Sequence, residues 1–191
     1  MNYKRQSAAE ILATKKDVKT SAVLCLLFKK EGEWKYYLME RNSYKGVHSA
    51  QISFPGGRKE HFDKDYQATA LRESQEELNI NPNDVEILGE LSTMYIPPSN
   101  FLVYPFVGVA LKDQRIVPDR REVSKVLEAS LSDLISDKAI GTSKVSISGG
   151  KTEINVKHYT VDEHIVWGAT GMILSELAYI IKEIGYGQSD L

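Results

Sequence analysis

Residues 56–80 read GGRKEHFDKDYQATALRESQEELNI. From Asp65 to Leu78 the residue types favour a helix, because Ala68, Thr69, Ala70, Leu71 and Leu78 are mixed with Gln and Glu. Asp65 is placed to cap its N-terminus. Asn79 suits the left-handed residue that ends a helix, and Pro82 disfavours continuation. Spacings of three and four are expected to put Glu73, Glu76 and Glu77 on one helix face. That arrangement costs energy. Like charges at such spacings oppose a helix by roughly 0.2–0.5 kcal/mol per pair. In the last turn, Glu76 and Glu77 also face the negative end of the helix dipole, at roughly 0.3–1 kcal/mol each. Local rules broken together at one place point to function. A hard divalent cation, which prefers carboxylate oxygen, would remove both penalties.

The bland reading of a bare Glu-x-x-Glu-Glu is a solvated helix face. Its surroundings argue against that: Gly56-Gly57 lies upstream, Asp63 follows six residues after Gly57, and Arg72 directly precedes Glu73. With those neighbours the stretch resembles a Nudix box: a glycine, an acid six residues on, Arg-Glu, two variable residues, Glu-Glu, one residue, then usually a glycine and an aliphatic. Here these are Gly57, Asp63, Arg72-Glu73, Glu76-Glu77, Asn79 and Ile80. The first acid is Asp, not Glu. The gap from Asp63 to Arg72 is one residue longer than in the commonest box, Ser74 replaces a small or aliphatic residue, and Asn79 replaces glycine. None of these departures touches the Arg-Glu-Glu-Glu set.

Upstream, residues 38–57 are similar to an extra motif of the Nudix subfamily that cleaves coenzyme A. Leu38, Arg41, His48, Gln51, Ile52, Phe54, Pro55, Gly56 and Gly57 are in register with it, and Met39, Asn42, Lys45, Gly46 and Ala50 depart. The departure at Gly46 matters most, since an arginine there would be a phosphate contact.

The resemblance covers roughly residues 22–181 and implies an α/β Nudix fold, an α/β/α sandwich with a mixed β-sheet. It implies hydrolysis of a phosphoanhydride, with coenzyme A or acyl-CoA favoured over ADP-ribose, another nucleoside diphosphate derivative or a triphosphate. A Nudix-like domain that senses a nucleotide without cleaving it is the reading from a different class. The implied cofactor is Mg2+ or Mn2+, held by Glu73, Glu76 and Glu77 with a backbone carbonyl of Gly57 or Gly56. Arg72, Glu76 and Glu122 form the implied catalytic set: Arg72 pairs with Asp63 or Glu73 to fix the loop on the helix, and Glu122 is the distal acid. Whether Glu76, Glu122 or the metals alone activate water stays open. Arg41, Lys45, His48, Gln51, Phe54 and Gly56 are the candidate substrate contacts.

The rest of the chain is consistent with such an enzyme. Its 191 residues suit one domain, with 1–20 as a helical extension, 21–185 as the catalytic domain and 186–191 as a tail. At 42% hydrophobic, 26% charged and net charge -2, no overall basic footprint points to nucleic acid. The one cysteine, Cys25, lies in an apolar run, reads as a buried thiol and excludes an intrachain disulfide. Residues 1–20 lack a signal-peptide core and no run is long enough to span a membrane, so a cytoplasmic enzyme is expected. The expected partner is a small nucleotide substrate, with no nucleic acid, no membrane, and a homodimer left open.

Taken in order, residues 3–14 read as a short helix that packs on the domain or on a partner. Ser21–Phe28 reads as a central strand buried on both faces, Glu31-Gly32 as a turn, and Trp34–Arg41 as its paired strand. Val85–Ser92 and Phe101–Leu111 read as strands around a proline-stiffened loop at Tyr95–Asn100, and Lys112–Arg121 as an exposed loop. Val126–Ile135 is helical or extended. Residues 144–159 form a hairpin turning at Ser148-Gly149-Gly150. Val166–Thr170, with Trp167 expected in the core, precedes a helix of about fourteen residues whose apolar side is Met172, Ile173, Leu177, Ile180 and Ile181.

Overall fold

The apolar run around Leu24 becomes the middle of the molecule. In the computed structural model, which describes residues 7–42, 52–147 and 152–185, helix α1 (Ala8–Thr14) precedes strand β1 (Lys19–Lys30). Along β1 the side chains alternate between two cores. Ala22, Leu24, Leu26 and Phe28 enter one; Val23, Cys25 and Leu27 enter the other. A strand covered on both faces reads as an unbroken apolar run for this reason. The hairpin to β2 (Glu33–Arg41) turns at Glu31 and Gly32, both at positive φ, as a primed turn requires. β2 alternates in the same way, with Tyr36 and Leu38 on one side and Tyr37 and Met39 on the other.

The chain then adds β3 (Ile52–Ser53) against β2 and β4 (Gly56–Arg58) against β1. Helix α2 (Tyr66–Leu78) crosses over to β5 (Val85–Glu90), β6 (Met94–Ile96) and β7 (Phe101–Ala110). β7 pairs with β1 in parallel, whereas the other ladders are antiparallel, so the sheet is mixed. β8 (Val123–Ser130) closes on β2 and leads into the short α3 (Leu131–Ile135). A second antiparallel sheet follows, with β9 (Ile140–Ile147), β10 (Thr152–Val161) and β11 (His164–Val166), before α4 (Gly168–Glu183). Ala70 and Leu78 seat α2 on one face of the main sheet. Leu131, Leu134, Ile173, Leu174 and Leu177 seat α3 and α4 on the other. The result is the expected α/β/α sandwich.

Several local expectations change. Tyr95 and Ile96 are not loop but strand, paired with β7, so the prolines form the hairpin turn. Asn100 ends that turn at positive φ, and its amide donates to the carbonyls of Lys16 and Asp17. Residues 126–135 divide into strand and helix because β2 offers a free edge to Val123–Ser130. α4 has 16 residues and begins at Gly168, so Gly-Ala-Thr is its first turn. Its buried stripe is Ile173, Leu174, Leu177, Ala178 and Ile181, while Met172 and Ile180 face outward and Trp167 is only half-buried. α1 is held by a Ser7–Glu10 capping box and buries Ile11. Its expected start at residues 3–6 and the hairpin tip at 148–150 lie outside the described residues. Among the described residues no helix is long and apolar enough to cross a membrane.

Candidate active site

The double glycine has a steric reason at each position. β4 runs antiparallel to β1, with Gly56 opposite Val23 and Gly57 opposite Ala22. Gly56 has φ 152°, and a Cβ there would run into the backbone of Ala22 and Val23. A Cβ on Gly57 would enter the carboxylate of Glu73. Only bare backbone lets this strand pass beneath the acids of α2.

The loop after β4 is tied down by Asp63, which is buried. Its carboxylate accepts hydrogen bonds from Glu60 N (2.9 Å), Thr69 Oγ1 (3.0 Å) and Arg72, whose Nε and Nη2 donate at 2.8 and 2.9 Å. The Arg72 guanidinium holds Asp63 well below the usual carboxylate range, and Asp63 in turn raises Arg72 above its own. Arg72 also donates to Arg58 O, Glu73 Oε1 and Glu76 Oε2 at 3.0, 2.7 and 3.0 Å. All five guanidinium donors are therefore engaged. Asp65 caps α2 by accepting from Ala68 N at 2.7 Å, and Asn79 closes it at φ 61°.

The three glutamates do not share one face. Adjacent residues lie about 100° apart on a helix, so Glu77 turns inward and is 2% exposed while Glu76 is 58% exposed. Glu73 lies between, half-buried beside Gly57. Burial raises the Glu73 carboxyl, and Glu76 and Glu122 add to that against the pull of Arg72. Burial pushes Glu77 up to about 7, opposed by Arg41 and the Gly56 N–H. Glu77 Oε2 accepts from Gly56 N at 2.8 Å, and Oε1 from Arg41 Nη1 at 2.9 Å.

Glu122 reaches the same place by a different route. The loop after β7 is pinned to the end of α2, where Val117 N and Asp119 N donate to the carbonyls of Leu78 and Glu77 at 3.0 and 2.9 Å. These bonds satisfy helix-end carbonyls that no basic residue of the last turn meets. Glu122 N donates to Asp119 O, and Asn42 N donates to Glu122 O at 2.8 Å. The β2–β8 register then shifts, so that Arg41 lies opposite Val123 while Glu40 lies opposite Lys125. Arg41 Nη2 ends 3.4 Å from Glu122 Oε2, and the guanidinium bridges Glu77 and Glu122.

The structure thus brings Arg41, Gly56, Gly57, Arg72, Glu73, Glu76, Glu77 and Glu122 into one region. One expected role is corrected. Phe54, expected to touch substrate, is 1% exposed and packs on Tyr36, because the short link between β3 and β4 that carries it lies over the core. Arg72 pairs with both Asp63 and Glu73, as expected of it, and with Glu76 and Arg58 as well, so it has no donor left for a reacting atom. Lys45, His48 and Gln51 lie outside the described residues. The bridge from Arg41 to both acids escaped the sequence reading, because it depends on a register shift between strands eighty residues apart in the chain.

Among the described residues no three His, Cys, Asp or Glu side chains converge as a ready cage for a cation. Arginines stand among the acids instead. The donor chemistry nevertheless fits Mg2+ or Mn2+. Five carboxylates, Asp63, Glu73, Glu76, Glu77 and Glu122, are paired with two guanidinium groups, which leaves an excess of negative charge. All the acidic ligand atoms are hard oxygens, and the Glu73 carboxylate fills the space that the absent side chain of Gly57 leaves beside the backbone.

Comparison with known proteins agrees with this geometry. The family model described as "NUDIX domain" matches residues 18–146. The chain is 34% identical over 145 residues to the "Uncharacterized Nudix hydrolase NudL" of Photorhabdus laumondii, covering 76% of each chain. It is 31% identical over 156 residues to the "Mitochondrial coenzyme A diphosphatase NUDT8" of Mus musculus, covering 81% of this chain and 73% of that one. Its fold superposes on a C. elegans Ap4A hydrolase with a TM-score of 0.60 at 16% identity, over 87% of this chain and 99% of that one. A domain match over most of the chain, a shared fold and an intact Arg-Glu-x-x-Glu-Glu helix behind a double glycine lead to one conclusion: this protein belongs to the Nudix family.

Proposed function

We propose that the protein is a divalent-cation-dependent diphosphatase whose substrate is coenzyme A or acyl-CoA, cleaved to 3',5'-ADP and 4'-phosphopantetheine. The observation that carries the reaction type is the cluster of acids on α2 and at Glu122, packed against Gly56-Gly57 with more carboxylates than arginines. The coenzyme A assignment is supported by the upstream residues Arg41, His48, Gln51 and Phe54–Gly57, and by the similarity to the mouse protein named for that activity.

Glu73, Glu76, Glu77 and Glu122, with the carbonyl of Gly57, would hold Mg2+ or Mn2+. Such a cation neutralises charge on phosphoryl oxygens and lowers the pKa of a bound water. The chain supplies the rest. Arg72 and Asp63 fix the loop after β4 on α2, so the glycine backbone and Glu73 keep their spacing. Glu77 already accepts at both oxygens and is closed to solvent, so it serves to hold charge. Glu76 and Glu122 each show half or more of their side chain to solvent, and either can take the proton of an attacking water. Water adds across the P–O–P link: its oxygen joins one phosphorus, and the other phosphate leaves with the bridging oxygen.

Incubation with coenzyme A, ADP-ribose and nucleoside triphosphates in Mg2+, with product masses read by mass spectrometry, tests the proposal. Preferred formation of 3',5'-ADP from coenzyme A is expected. Faster cleavage of ADP-ribose removes the coenzyme A assignment; the absent arginine at Gly46 favours that second reading. Binding without turnover of any substrate would leave a nucleotide sensor.

A further inference from the structure

Arg41 is the cation that Glu77 and Glu122 share. Its guanidinium donates to Glu77 at 2.9 Å and to Glu122 at 3.4 Å, joining the last turn of α2 to the start of β8. Glu77 is buried, and its one ion pair among the described residues is with Arg41, because Arg72 is spent on Asp63, Glu73 and Glu76. The pairing is built in. The β2–β8 register shift, the Ser124 Oγ bonds to the carbonyl and carboxylate of Glu40, and the Asn42–Glu122 backbone bond fix where Arg41 leaves its strand. The same side chain is 34% exposed, so its head lies at the rim with water on one side.

We infer that Arg41 is a stand-in for the metal: it keeps Glu77 and Glu122 together before a divalent cation arrives, then releases their oxygens and turns to a phosphate of the substrate. The inference rests on the cation-dependent reading of the site. Its logic is charge balance. The oxygen lone pairs that face the guanidinium are the ones a shared cation would need, so both cannot use them fully. A dication entering between Glu77 and Glu122 makes the guanidinium surplus. A freed guanidinium at the rim is a planar fork suited to a phosphate, whose added negative charge restores the balance. Cation and nucleotide then favour each other's binding, since each relieves what the other displaces.

Mn2+ affinity of the free protein tests this without turnover, by titration calorimetry or by electron paramagnetic resonance of unbound Mn2+. Measurement at about pH 8.5, above the ordinary carboxylate range, limits proton competition. The substitution Arg41→Gln removes the competitor, so Mn2+ is expected to bind about fivefold tighter, the fold-change for losing an ion pair whose arginine still meets solvent. Affinity for 3',5'-ADP in the presence of Mn2+ falls in the same variant. Unchanged or weaker Mn2+ binding overturns the inference, since a mere brace or a contact to substrate alone would give one of these. If Arg41→Gln fails to fold, Arg41→Lys keeps a charge that cannot span both acids, and its Mn2+ affinity should also exceed wild type. A wild-type protein that binds no Mn2+, with or without nucleotide, would defeat the cation-dependent reading itself rather than the role of Arg41.

Discussion

Replacing Glu77 by Gln should make the metal-free protein more stable at neutral pH while nearly abolishing its activity. The reasoning starts from the carboxyl's displacement from its ordinary value of 4.5 to about 7, caused first by burial. Between those values the folded state binds more protons than the unfolded state, so stability falls as pH rises through that window. Below about pH 4.5 the carboxyl is protonated in both states and costs nothing. Above about pH 7 the full cost is present, about 3 kcal/mol. Glutamine is neutral throughout and avoids it. Its single acceptor oxygen must serve either Gly56 N or Arg41, which reduces the gain to about 2 kcal/mol. Arg41 can take up water when its partner is lost, because a third of its side chain is exposed, so no charge is stranded. For a chain of this length the gain corresponds to a Tm rise of about 4–8 °C. Thermal unfolding in a chelator across pH 4.5–8 reads it, with the difference between variant and wild type isolating Glu77 from other titrating groups. Turnover of the same variant in Mg2+ should drop by orders of magnitude. A variant less stable than wild type at about pH 8 would refute the reasoning, for it would mean that the pair with Arg41 outweighs the cost of burial.

Other perturbations have distinct signatures. Arg72→Lys keeps the charge but loses the two-pronged contact with Asp63 and three further bonds, and should cost about 2–3 kcal/mol in urea unfolding together with activity. Gly56→Ala forces a side chain onto backbone at positive φ and should cost more than about 2 kcal/mol. Gly57→Ala meets only the end of Glu73, so its Tm should stay within a few degrees of wild type while turnover falls tenfold or more, to about 10²-fold, through displacement of that carboxylate. Glu122→Ala removes a half-exposed side chain, so stability should change by less than about 0.5 kcal/mol while the Mg2+ concentration for half-maximal rate rises.

What the sequence made legible was local. β1 and β2 were legible because two-sided burial leaves no polar interruption from Ala22 to Phe28. α2 was legible at both ends, since Asp65 and Asn79 carry their chemistry in single side chains. Glu73, Glu76 and Glu77 could be named but not aimed: the one-face reading ignored the 100° step that buries Glu77 and exposes Glu76. Phe54 shows a further limit, because a motif position says nothing about whether the link it occupies turns its side chain to the core or to solvent. The partnership of Arg41 with Glu77 and Glu122 joins three separate elements across a register shift, and no spacing within the chain encodes it. α4 was found but turned by a fraction of a helical step, since Leu174 and Ala178, not Met172 and Ile180, complete its buried stripe.

The parallel ladder between β1 and β7 also bears on how the molecule is made. Roughly 70 residues separate Lys30 from Phe101, so a ribosome delivers the most apolar strand well before the neighbour that shields its far edge. During that interval β2 and β4 can protect one edge, while the edge of Leu24–Phe28 that β7 will cover is an open template for another nascent chain. Charged residues at both ends of the run, Lys19 and Lys29-Lys30, act as gatekeepers in that period. Their contribution belongs to the yield of folded protein rather than to the stability of the finished one.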